Sequence, residues 1–129
     1  MDIDKINENY KKIKGFDYNN DIIIDKADKD LVEAHIKVSK KSYNPWEIVH
    51  GGLIFGLADT AIGVLCYLNG YKGVTVDANI NYLKPCKEEA RAVATKIKAG
   101  KTIGLYKVEV YNEKNELSAI MTSNYYNVE

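Results

Sequence analysis

Arginine is nearly missing from this chain. Arg91 is the only one, and 18 basic residues are balanced by 18 acidic ones to a formal net charge of zero. Proteins that read nucleic acid lean on arginine for bidentate contacts to guanine and phosphate, so nucleic acid is excluded as the expected partner. Proline is also scarce: two residues, beside 46% hydrophobic and 28% charged residues, exclude a fibrous or disordered chain. The two cysteines, Cys66 and Cys86, form no CxxC pair and neither flanks a plausible metal cluster. Free thiols are expected, with no disulfide and no metal. Long apolar runs are lacking too. Asp59 interrupts the longest, residues 53–68, which falls short of the roughly 20 residues a membrane span requires, so a buried helix is expected and no membrane partner. The opening MDIDKINENYKKIKG mixes charges of both signs without the apolar core of a secretory signal, and a cytoplasmic setting is the expectation.

What is present points to one domain over residues 1–129, a length sufficient for a real core but not for two ordinary domains. Ile3, Ile6, Tyr10 and Ile13 recur at helical spacing up to Gly15, which predicts a short amphipathic helix. Residues 21–25 and 31–38 read as two strands joined by a polar turn at 27–30. A long helix is expected from Gly51 or Gly52 to the Asn69-Gly70 pair, a good carboxy-terminal cap. Residues 73–83 alternate Val74, Val76, Ala78, Ile80 and Tyr82 against polar neighbours until Pro85 ends the pattern. Residues 90–99, 103–111 and 117–128 read as three more strands with hairpin-length connections. The class is α+β: an antiparallel sheet curled around one long central helix, with a short amino-terminal helix.

The long helix carries the anomaly. Asp59 sits among apolar residues with no lysine or arginine in the run to neutralise it. Burying a lone carboxylate is costly, so a general base or nucleophile is the expected role. Gly56 and Gly63, one turn before and after it on the same side, are expected to leave room beside the carboxylate. At the helix start, Gly51 and Gly52 let a ligand approach free backbone N–H groups whose dipoles favour negative charge, the elements of an oxyanion hole. His50, just before the helix, reads first as a loop anchor through its ring nitrogens.

Asn44, His50-Gly51-Gly52, Phe55 and Leu57-Ala58-Asp59-Thr60-Ala61 together resemble the motif of hotdog-fold acyl-CoA thioesterases of the phenylacetic-acid-degradation (PaaI-like) type. GVTVDANINYLKP, from Gly73, is similar to the family's strand after the central helix. The resemblance implies a hotdog fold, the helix as sausage and the sheet as bun, assembled as dimers and commonly tetramers with shared active sites. It implies hydrolysis of an aryl- or medium-chain acyl-CoA, with no cofactor beyond the coenzyme A of the substrate. In that pattern Asp59 serves one side of the site, Asn44 and Gly51 come from the facing subunit, and the hydroxyl near the carboxylate maps onto Thr75. His50, Gly52, Phe55 and Lys84 are carried over as substrate-binding residues. Two departures are present. Glu47 stands where many relatives have a small residue or Gly, and the single arginine leaves the CoA phosphates to lysines such as Lys84, Lys87, Lys98 and Lys101. The same fold also hosts non-catalytic acyl-CoA-binding modules and enoyl or hydroxyacyl thioester hydratases, so these remain alternative expectations.

Overall fold

Residues 3–128 are described by a computed structural model. The first periodic segment forms α1 (Ile3–Ile13), whose Ile6 is buried while Ile3 and Tyr10 pack on the core edge. Lys14 then takes a left-handed turn (φ 54°) and Gly15 leads into a second, one-turn helix, α2 (Phe16–Asn19), which the sequence pattern did not announce. The expected hairpin comes next as β1 (Ile22–Ala27) and β2 (Leu31–Ile36), with Asp28 Oδ1 accepting from the Asp30 and Leu31 N–H groups in the turn. A single turn of 3-10 helix, Lys40–Ser42, precedes the long helix.

That helix, α3, runs Gly51–Leu68. Asn69 caps its carboxy-terminal end through its N–H to Leu65 and Cys66 carbonyls, and Gly70 reverses the chain at φ 92°, a conformation that favours glycine. Four long strands complete the sheet: β3 (Lys72–Tyr82), β4 (Ala90–Ala99), β5 (Ile103–Asn112) and β6 (Leu117–Val128). All pairings are antiparallel, and the spatial order is β1-β2-β4-β5-β6-β3. This is the expected hotdog architecture.

Alternation along the strands puts Ala34, Ala90, Ala92, Ala94 and Ala119 on the buried side, small residues that let the helix lie close to the sheet. Against them the helix buries Leu57, Ala58, Ala61 and Leu65 completely. By length and composition α3 could cross a membrane, yet here it is the core helix. The sheet that curls around the helix does not cover all of it, however. Gly56, Asp59, Thr60 and Gly63 form a strip that the sheet leaves partly exposed.

The third strand departs from regular pairing beside that strip. The expected unbroken alternation of residues 73–83 does not hold: a β-bulge between Thr75 and Asp77 inserts Val76, which is 58% exposed, and reverses the phase of the strand. Ala78 and Ile80 therefore pack on the core after the bulge, whereas Gly73 and Thr75 face α3 before it.

Candidate active site

Asp59 lies near the middle of α3 and projects from the strip the sheet leaves open. Its Oδ1 accepts two hydrogen bonds, from Thr75 Oγ1 at 2.6 Å and from the Tyr125 hydroxyl at 2.5 Å. The same hydroxyl lies 2.8 Å from the Asp59 carbonyl oxygen. Thr75 and Tyr125 are direct cross-strand partners of β3 and β6, so the sheet register delivers both donors to one face. Burial, and then the hydrogen bond to Asp59, push the Tyr125 phenol well above its ordinary pKa, keeping it a donor at any physiological pH. Among the described residues nothing bonds to Asp59 Oδ2. The carboxylate thus has one oxygen fixed and one available.

A cleft of about 380 Å³ opens beside it, lined by Tyr10, Asp17, Thr60, Gly63, Val74 and Thr75 among others. Of the two glycines expected to make room, only one does. A Cβ on Gly56 would lie 2.6 Å from the Phe16 ring, so α2 fills that side, whereas a Cβ on Gly63 would meet nothing within 4 Å. Asp17, next to Phe16, accepts a hydrogen bond from Thr60 Oγ1 and adds a second carboxylate to the cleft wall. Burial, helped by Asp17, raises the Tyr10 phenol strongly as well.

At the helix start His50 is the N-cap: its Nδ1 accepts from the Gly52 N–H at 2.8 Å. The anchoring geometry anticipated for His50 is present, and it engages one of the two donors. The Gly51 N–H has no acceptor among the described residues, while the Gly51 carbonyl accepts from the Tyr82 hydroxyl at 2.6 Å. Asn44 Oδ1 accepts from the Trp46 N–H at 2.9 Å and holds the turn before the helix; Asn44 does not line the Asp59 cleft. Phe55 is half-buried against the core. Lys84 lies apart from the cleft, its Nζ 3.0 Å from Glu116 Oε2.

Within one chain, then, Asp59 and Thr75 are brought together, and Asn44, His50, Gly51, Gly52 and Lys84 are not part of that cluster. Gly51 and Asp59 are eight positions apart along α3, about 12 Å of helix rise, too far for both to act on one carbonyl. Tyr125 and Asp17 were not anticipated. Tyr125 lies in the stretch expected to be the last strand, but nothing in the sequence pairs it with a residue 66 positions earlier. Among the described residues no group of three His, Cys, Asp or Glu side chains could hold a metal ion.

Several known proteins share this sequence pattern and architecture. The family model described as "Thioesterase superfamily" matches residues 47–119. Acyl-coenzyme A thioesterase 13 of Mus musculus is 32% identical over 108 residues, covering 79% of this chain and 76% of that one. The acyl-coenzyme A thioesterase PaaI of Escherichia coli is 28% identical over 95 residues, covering 72% of this chain and 68% of its own. The solved PaaI structure superposes with a TM-score of 0.85 over 96% of this chain and 93% of that one, at 23% identity. A Streptococcus mutans protein solved bound to acetyl CoA superposes with a TM-score of 0.79 at 28% identity, covering 83% of this chain and 88% of that one.

Proposed function

Given that the chain belongs to the thioesterase superfamily and is a thioester hydrolase, we propose that it hydrolyses an aryl- or medium-chain acyl-CoA with Asp59 as the reacting carboxylate. The observation that carries this reading is the asymmetric anchoring of Asp59 at the wall of an open cleft: Thr75 and Tyr125 fix Oδ1, and Oδ2 has no hydrogen-bond partner among the described residues. A carboxylate so held is oriented before substrate arrives, which is what a general base or a nucleophile needs. As general base, Oδ2 takes a proton from water as the water attacks the thioester carbonyl. As nucleophile, Oδ2 attacks that carbonyl itself, the CoA thiolate leaves, and water then opens the mixed anhydride.

Either route develops negative charge on the carbonyl oxygen. The Gly51 N–H, at the positive end of α3 and without an acceptor among the described residues, is suited to receive it. Because Gly51 and Asp59 of one chain are about 12 Å apart along the helix, the donor comes from a second copy, as does Asn44 to position the water. We place the contact between copies at β3. It is an edge strand of the sheet, 11 residues long, and exposes Val74 and Val76, an apolar stretch of edge that invites pairing with another strand. The acetyl-CoA complex of the Streptococcus mutans relative supports coenzyme A as the carrier. Lys87, Lys98 and Lys101 are exposed and meet its phosphates by charge alone, so added salt should raise KM.

The deciding measurement is thiol release from 4-hydroxyphenylacetyl-CoA and from medium-chain acyl-CoAs by wild type and Asp59→Asn. A loss of about 100-fold or more is expected. Activity within about twofold of wild type would overturn the role given to Asp59, and tight binding without turnover by the wild type would mark a binding module instead. A single turnover in heavy-oxygen water tests for the nucleophilic route. Water attack at the Asp59 carbon of an anhydride gives unlabelled acid and places the label in Asp59, an outcome general-base attack on the thioester does not produce; labelled acid is common to general-base attack and to anhydride opening at the acyl carbon.

A further inference from the structure

Two hollows meet at Gly63. One is the Asp59 cleft; the other is a groove of about 480 Å³ between α1 and the second half of α3, and Tyr10 and Gly63 line both. Ile6, Val64 and Tyr67 give the groove its apolar walls, with exposed Lys5 at its rim.

Gly63 is the glycine that the packing of this chain does not explain. Glycine inside a helix is disfavoured relative to alanine, so a position that keeps it needs a reason. At Gly56 the reason is the Phe16 ring, and at Gly70 it is the positive φ. At Gly63 a Cβ would meet nothing within 4 Å. The space is kept where the cleft passes into the groove.

We infer that this passage carries the tail of an unbranched aliphatic acyl chain from Asp59 into the groove between α1 and α3, with Gly63 as the residue that sets the accepted chain length. The inference rests on the thioesterase reading and narrows it to medium-chain substrates. Gly63 lies about 6 Å beyond Asp59 along the helix axis and Tyr67 about 12 Å beyond, a span that suits an extended chain. A single aryl ring on the thioester would end near Gly63 and leave the groove unused. Apolar walls reward each buried methylene by about fourfold in affinity.

The experiment compares wild type with Gly63→Leu over straight-chain acyl-CoAs from acetyl to dodecanoyl. Wild-type kcat/KM should climb with chain length, by up to about fourfold per methylene, as the groove fills. In Gly63→Leu the climb should stop near butyryl, so that the two profiles diverge by about 50-fold or more at octanoyl. Should the leucine variant not fold, as judged by circular dichroism, Tyr67→Ala at the far end of the groove supplies the second readout, with losses that begin only beyond hexanoyl. Parallel profiles for wild type and a folded variant would overturn the groove assignment while leaving the thioesterase reading intact. No hydrolysis of any acyl-CoA by wild type would overturn the thioesterase reading itself, and the groove assignment with it.

Discussion

The Tyr125 hydroxyl and the Thr75 hydroxyl do for Asp59 what neither could do alone: together they stop its carboxylate from rotating. Removing one leaves a looser base, not an absent one. Tyr125→Phe should therefore lower kcat by about tenfold, equivalent to about 1.4 kcal/mol, with KM changed less than about threefold. Steady-state kinetics on one acyl-CoA checks this, and an effect on KM alone would assign Tyr125 to substrate binding. Asp59 was legible in the sequence because a carboxylate in an apolar helix contradicts its surroundings, and Thr75 was legible through its place in a familiar motif. Tyr125 was not, since an inward tyrosine on a strand is ordinary and its partner is fixed only by sheet register. Glu47 is a different kind of outlier. It departs from the small residue expected at its position, and the structure shows the cost: it sits at φ 61°, exposed, in a left-handed conformation that side chains with a Cβ resist. Glu47→Gly should raise stability by up to about 1 kcal/mol in urea unfolding.

Helix and strands were readable from periodicity, but two features of the elements were not. A bulge such as the one at Val76 depends on how two strands register, which a single strand's alternation does not contain. The one-turn helix α2 is too short for a periodic signal, yet its Phe16 closes the Gly56 side of the cleft. Where β3 crosses the end of α3, Gly73 makes the approach possible: a Cβ there would lie 2.4 Å from Cys66 Sγ and 2.7 Å from the Tyr125 ring. Gly73→Ala should therefore destabilise the fold by about 1–3 kcal/mol and reduce activity along with it, since Tyr125 must give way. Thermal unfolding and a hydrolysis assay on the same sample test both halves. The loop after β5 carries a pH-dependent clasp. Burial alone would raise the Glu113 carboxyl, but the N–H groups of Glu88 and Lys87 outweigh it and hold the pKa down to about 2 from 4.5. A carboxyl depressed by folding stabilises above its unfolded pKa and loses that contribution as pH falls through the folded value. Stability should thus decline from about pH 4.5 toward pH 2, and Glu113→Gln should flatten that part of the curve.

At the scale of the whole molecule, the proposed site is incomplete in one copy, so activity should track assembly. Val76→Glu puts a charge on the exposed bulge of β3, and because the side chain there is 58% exposed the fold should tolerate it. Analytical ultracentrifugation should show the wild type as a dimer or larger and this variant shifted toward monomer, with activity lost in proportion. A monomeric wild type with full activity would overturn the shared site. Sheet order has another effect, on timing. The third strand lies beside the sixth, and Thr75 and Tyr125 meet across about two fifths of the length of the chain. Such distant pairings close slowly. As the polypeptide emerges from a ribosome, β4 and β5, which pack on α3, are made before β6, so what waits for β6 is the third strand, which among the described residues has no other partner in the sheet. A chain halted before residue 117 would carry Asp59 without its tyrosine donor and with the Thr75 strand still unpaired, and would present to chaperones an open strand edge in place of a finished site.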